Sequence, residues 1–274
     1  MRLVCGLVCL GWAVLASAQD PAAVLRASDE RTYTPRVKGL KDVFFEMSSP
    51  EVTKQLNDQM VLGRVTDAVF RVYWTAQPER LDMDVKGLPA GFHEVKEELK
   101  ASMASRFEHV VPVPLEKKFS SYQLRPVPGR TRFLIASDPK GLMPVPEFEL
   151  EFDVEGRLQT SRAKKPVGTV VTRYTYGKFP WADSKGVLVK IEVVGEEGPL
   201  TTHSTVEITY ETHAGIGLPS MVKSVSRQTL RPPGATSPVE RSTQEVLHLK
   251  AYRVNVGEGM KWFLGTQQNN SKTN

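Results

Sequence analysis

From Ser121 onward the chain alternates short runs of β-branched and aromatic residues with turn residues, and this recurrence limits the fold more than any other feature. The candidate strands cover 121–127, 131–136, 146–154, 158–162, 168–176, 187–194, 205–212, 221–230 and 243–254. The clearest is Phe148-Glu149-Leu150-Glu151-Phe152-Asp153-Val154, with Phe148, Leu150, Phe152 and Val154 on one face and the acids on the other. A hairpin follows it, in which Gly156 supplies the positive φ. Earlier strands are predicted at 39–47, 68–75 and 80–86. About a dozen strands joined by short turns predict one antiparallel sheet large enough to curl. Helical patterns are confined to roughly the first 110 residues, so the class is α+β, with short helices packed on the concave face of the sheet.

The stretch from Asp67 to His109 shows how sheet and helix meet. Ala68 to Thr75 is a strand, Pro78 turns the chain, and Arg80 to Lys86 returns with Leu81, Met83 and Val85 on its dry face. Gly87 to Gly91 breaks the strand and offers a hinge. Phe92, Val95, Leu99, Met103 and Phe107 then recur at steps of three and four, one stripe of a helix. Val111-Pro112-Val113-Pro114 closes that helix. The helix is expected to lie on the sheet as a lid. The seam is either an ordinary packed core or an apolar ligand cavity. Two details favour a cavity. A curled sheet of this size is hard to fill with a few short helices, and Phe45, Met47, Trp74, Met83 and Met103 are large side chains able to repack around variable apolar ligands. The candidate cavity lining is therefore Phe45, Met47, Trp74, Leu81, Met83, Val85, Phe92, Val95, Leu99, Met103 and Phe107.

The first eighteen residues have the pattern of an export signal: Arg2, an apolar run from Leu3 to Leu15, and a small-residue cleavage site at Ala16-Ser17-Ala18. The run is short for a membrane span, and no later stretch approaches span length. Cys5 and Cys9 both lie in it, so cleavage leaves a chain without disulfides, more typical of a bacterial envelope protein than of an animal secreted domain. Gly6-Leu7-Val8 lacks the small residue that a lipoprotein signal places beside its cysteine, so free release is expected, to the periplasm or beyond. A single domain is expected over 19–265, entered by a helix with Asp20 as N-cap and Pro21 at its first position, and a polar disordered tail over 266–274. A second helix is expected from Ser49-Pro50 to about Met60, and a long exposed loop at 231–238.

The 36 basic and 31 acidic residues give a net charge of +5 and are interleaved, with no block that would track phosphates, so nucleic acid is not an expected partner. His203, Glu207, Glu211 and His213 share a strand face but extend over about 33 Å, too far for one metal site. The Glu147 to Asp153 ladder reads as a solvated face. Ser161-x-x-Lys164 and Ser220-x-x-Lys223 lie in strand or turn segments, where that spacing does not join the side chains as a helix would. There is no nucleophile elbow or glycine-rich phosphate loop, and nothing calls for a cofactor or resident metal.

Three stretches carry a family resemblance. They are Leu40-Lys41-Asp42-Val43-Phe44-Phe45 after a short helix, the hairpin Tyr73-Trp74-Thr75-Ala76-Gln77-Pro78-Glu79-Arg80-Leu81, and the Gly…Leu-Pro step in Tyr210-Glu211-Thr212-His213-Ala214-Gly215-Ile216-Gly217-Leu218-Pro219-Ser220-Met221-Val222. In order and texture the chain resembles the LolA-like half-barrels of the bacterial envelope, which include the periplasmic lipoprotein carrier and its lipid-binding and stress-sensing relatives. The resemblance implies an incomplete antiparallel barrel of 11–12 strands wrapped round helices, with a cavity for acyl chains. No residue here matches a cavity-gating arginine of the carrier, and the chain is longer around 110–145 and at the loop from Arg231. The expected function is non-enzymatic binding of a lipid or lipidated protein. The alternatives are an envelope sensor or protein-interaction module with a filled core, and then a hydrolase. An outer-membrane barrel fits poorly, because the strands carry charges on both faces.

Overall fold

The computed structural model describes residues 20–59, 65–89, 91–232, 234 and 237–270. The expected export signal, with both cysteines, lies outside them. Twelve strands form one sheet, every neighbouring pair antiparallel. They are β1 (Asp42–Ser48), β2 (Val69–Ala76), β3 (Glu79–Lys86), β4 (Gln123–Val127), β5 (Arg130–Ser137), β6 (Glu147–Phe152), β7 (Leu158–Lys165), β8 (Gly168–Gly177), β9 (Val187–Glu197), β10 (Leu200–His213), β11 (Ile216–Leu230) and β12 (Val239–Val254). Each overlaps a strand expected from the sequence, with β10, β11 and β12 starting four or five residues earlier than expected.

From β4 to β12 the chain is a continuous meander. β12 then pairs with β1, so the order is β3-β2-β1-β12-β11-β10-β9-β8-β7-β6-β5-β4. β3 and β4 are free edges, and the curled sheet does not close. β4 is short and carries Pro126, which removes a donor from that edge. Bulges at Phe44/Glu46, Thr175/Tyr176 and Thr209/Tyr210 bend the strands they interrupt.

Helix α1 (Pro21–Arg31) begins at Asp20, whose carboxylate accepts the Ala22 N–H at 3.1 Å, as expected of an N-cap followed by proline. α2 (Pro50–Gln59) and α3 (His93–Ala104) also stand where the sequence places them, and a 3₁₀ turn over Ser105–His109 continues α3. Gly87, expected as part of a hinge, has φ +86° and lies against the Asp67 carbonyl, which a Cβ would meet at 1.9 Å.

Two further helices carry no clear sequence signal. α4 (Leu115–Lys118) is one turn long. α5 (Glu258–Asn270) takes up most of the stretch expected as a disordered tail. Both begin on carboxylates from distant parts of the chain. Asp29 accepts the N–H groups of Leu115 and Glu116, at 2.8 and 3.1 Å. Asp42 accepts those of Gly257 and Met260, at 3.0 and 3.2 Å. Helix ends must satisfy their first N–H groups, and here tertiary partners do so. α5 lies on the outer face of β1 and β2, where Trp262 stacks on Tyr73 at 4.2 Å and donates from Nε1 to Asp82 at 2.7 Å.

Among the described residues two large apolar cores and two small clusters form, the small ones around Tyr33, Ala182 and Val187 and around Leu56, Val65 and Ala68. The larger joins β1–β3 and β10–β12 to α3, around Val43, Phe45, Phe70, Trp74, Leu218 and Leu247. The smaller joins β5–β7 to α1, around Leu25, Phe119, Leu134, Leu150, Phe152 and Leu158. Phe70→Ala should cost about 3–5 kcal/mol in urea unfolding, because Phe70 is fully enclosed. Leu264→Ala, on the exposed face of α5, should stay within about 0.5 kcal/mol.

Candidate functional site

The side chains expected to line a cavity under α3 fill that seam instead. Phe45, Met47, Trp74, Met83, Val85, Met103 and Phe107 are all buried in the larger core. The Phe107 ring stacks on Phe45 at 6.4 Å and meets Trp74 at 6.2 Å. Leu99 packs against this core and also against a small cluster of Leu56, Val65 and Ala68, which Val95 joins. Phe92 is half-buried at the entrance of α3. Leu81 stands 38 % exposed at the turn end of edge strand β3. Large aromatic and thioether groups close this seam because they reach across it, the property that made a cavity plausible.

A cavity of about 250 Å³ lies further along the sheet, between the two cores, bordered by Val110 and Ile208 of the larger and Leu158 of the smaller, and none of the residues expected to line a cavity lines it. Its floor is Thr172, Tyr174 and Tyr176 of β8, Leu188 and Ile191 of β9, and Ile208 and Tyr210 of β10. One wall is the end of α1 and the segment after it, with Asp29, Tyr33 and Pro35. The other wall is the chain leaving α3, with His109, Val110, Pro112, Pro114 and Leu115. The lid is thus the irregular segment after the helix.

The lid is held at both ends. Phe107 is sunk in the larger core, and Arg106 pairs with Glu245 of β12 at 2.9 Å. At the far end α4 starts on Asp29, as described above. Pro112 and Pro114 stiffen the chain between these anchors. The opposite wall is fixed through Tyr33, whose hydroxyl donates to the Gly217 carbonyl at 3.0 Å and accepts from the Gly217 N–H at 2.9 Å. Gly217 lies so close to Trp181 that a Cβ would come within 2.2 Å of its ring. The Gly…Leu-Pro step of the sequence therefore serves to anchor Tyr33, beside the cavity.

The lining is uncharged over most of its area. Burial pushes the Tyr33 phenol up to about 12, and burial raises Tyr176 and Tyr210 as well. Tyr176 donates to the Leu158 carbonyl and Tyr210 to that of Leu188, both at 2.8 Å. Burial raises Asp29 above the usual carboxylate range, partly offset by its two N–H donors. His109 is pushed down to about 4 by burial first and by the Arg106 charge second. Glu108 and Lys118 stand at the exposed rim. Such a lining suits a neutral apolar group.

The other residues that drew attention in the sequence lie elsewhere. Glu147 pairs with Lys164 and Arg125, Glu149 with Arg162 and Lys164, and Asp153 with Arg157, so three of the four acids of the ladder meet basic neighbours. Ser161 faces inward to Tyr174 while Lys164 points to those acids, on opposite faces of β7. Among the described residues no group of three or more His, Cys, Asp or Glu is placed to hold a metal ion. No helix among them is long and apolar enough to cross a membrane.

His109 also makes a pH prediction. Its folded value of about 4 lies below the ordinary 6.5, so between these values the unfolded chain binds a proton that the folded chain does not. The stability this site contributes is complete above about pH 6.5 and is lost as pH falls toward 4. Urea unfolding at stepped pH should show this decline, and His109→Gln should flatten it.

No family model matches the chain, and no curated protein sequence matches it. Among solved structures it is similar to a domain ascribed to outer membrane lipoprotein sorting from Vibrio parahaemolyticus, with 10% identity, 86% of this chain and 93% of that one covered, and a TM-score of 0.25. It is also similar to MucB in complex with MucA(peri), with 12% identity, 88% and 96% covered, and a TM-score of 0.18. Both superpositions are loose.

Proposed function

We propose that this is an exported, non-enzymatic binding protein that takes an acyl chain, of a lipid or a lipidated protein, into the cavity beneath the lid. The observation that carries the reading is the lining: Ile191, Ile208, Leu188 and Val110 together with tyrosines whose hydroxyls are already spent on the backbone. Among the described residues no serine or threonine hydroxyl of this lining is hydrogen-bonded to a histidine or a carboxylate. Export rests on the leader-like pattern of residues 1–18. The volume of about 250 Å³ falls below the roughly 300–1,000 Å³ of sites for drug-sized ligands, which points to one chain segment rather than a whole lipid. Burial of a CH₂ is worth about 0.8 kcal/mol, so roughly eight buried carbons supply about 6 kcal/mol, an affinity of tens of micromolar.

A second reading, a protein-interaction module, draws support from the filled α3 seam and from α5. Met260 and Leu264 of α5 are one helical step of four apart and 39 % and 56 % exposed, and Val256 just before the helix is 55 % exposed. The two readings part on one experiment. A fluorescent acyl probe should bind the purified protein, and Ile191→Trp or Thr172→Trp, which fill the floor of the cavity, should weaken binding at least tenfold with the circular dichroism spectrum unchanged. Binding that both variants leave intact, or no binding at all together with no lipid in mass spectra of organic extracts, rejects the acyl reading and leaves the interaction module.

A further inference from the structure

Thr34 and Thr172 line the cavity and make no side-chain hydrogen bond among the described residues, and the ionisable groups enclosed with them differ in their partners. Asp29, Tyr33, Tyr176 and Tyr210 direct their polar atoms at backbone partners, and Tyr174 meets Ser161 at 3.3 Å. His109 does not follow them. It lines the cavity from the last position of the 3₁₀ turn, and among the described residues its imidazole makes no hydrogen bond. A neutral imidazole carries one N–H donor and one lone-pair acceptor. The His109 residue is part-buried, so these groups are open to whatever enters the cavity. Polar side chains that line a mainly apolar cavity and lack a protein partner are the groups that orient a ligand.

The charge around His109 restricts what it orients. Arg106, three residues earlier, is committed to Glu245, and its cationic field together with burial holds the imidazole neutral. The Asp29 carboxylate also faces this space. Lys118, the cation at the rim, is exposed. A carboxylate drawn inside would lose its water and gain no bidentate cation, which is costly. An alcohol or ester pays far less and matches the imidazole: a hydroxyl engages either its donor or its acceptor, and an ester carbonyl its donor.

Resting on the acyl-chain reading above, we propose that His109 is the polar recognition group of the cavity. Its ligands are uncharged amphiphiles, long-chain alcohols or acyl esters, selected over fatty-acid anions and plain alkanes. The test compares probes of matched length, decanol, methyl decanoate, decanoate and decane, by displacement of the fluorescent acyl probe at pH 7. The wild-type protein should bind the alcohol and the ester about tenfold more tightly than the alkane, with the anion weakest. His109→Phe should keep alkane binding and lose the preference, and His109→Gln, which restores a donor and an acceptor, should recover part of it. In parallel, the imidazole ¹⁵N resonances of His109 in the wild-type protein should move with decanol and stay in place with decane, a readout independent of whether the variants fold. Equal binding of all four probes, a preference that survives His109→Phe, or resonances that ignore decanol would overturn the assignment while leaving the acyl cavity standing. Absence of binding by every probe would remove both.

Discussion

Cover is the constraint on which this structure depends. Twelve strands at about 4.8 Å spacing make a sheet roughly 50 Å across, whereas a helix with its side chains is about 10 Å wide. The chain has few helices for the inner face, and they gather at two places. α3 packs its stripe over β1–β3 and β10–β12, and α1 covers β5–β7. Between them the middle strands have no helix to pack against. Irregular chain bridges the gap, and irregular chain does not fill space as closely as an apolar helical face. The cavity is the residue of that shortage.

A roof made of loop must be held from outside, since it has no internal ladder of hydrogen bonds. Here the ties are few and polar. Arg106 with Glu245 and Asp29 with the start of α4 fix the lid, and Tyr33 with Gly217 fixes the opposite wall. Each joins residues far apart in the chain. The same economy appears on the outer face, where Asp42 starts α5 and Asp82 receives Trp262. Carboxylates that look like ordinary surface charges in the sequence thus set the positions of two helices. In the lid these ties leave the His109 imidazole without a hydrogen bond among the described residues, beside the unpaired hydroxyls of Thr34 and Thr172.

The strands were legible because each carries its own signal. In β6, Phe148, Leu150 and Phe152 alternate with glutamates, and that period of two survives whatever lies above the sheet. α1 was legible for a similar reason: Asp20 and Pro21 sit beside the turn they initiate. α4 and α5 were not, since their caps lie 86 and 215 residues away. The cavity lies one step further along the sheet than the seam where the sequence pattern suggested one. Phe45, Trp74, Met103 and Phe107 do come together, as their pattern implied, but an apolar stripe reads the same whether its far side is packed or empty. The residues that do line the cavity, such as Ile191, Tyr210 and Pro112, belong to four or more segments, none with a distinctive local pattern.

Taken alone, the amino-acid sequence determined the number and position of the strands, their antiparallel pairing, the α+β class and the order in which the first helices meet the sheet. These follow from periodicity, turn residues and caps, which act over a few neighbouring residues. Tertiary structure alone decided which seam is filled, where the sheet stays bare, and which side chains are left without a protein partner. Those are outcomes of volume and of hydrogen bonds between distant segments, and neither is encoded within any one segment.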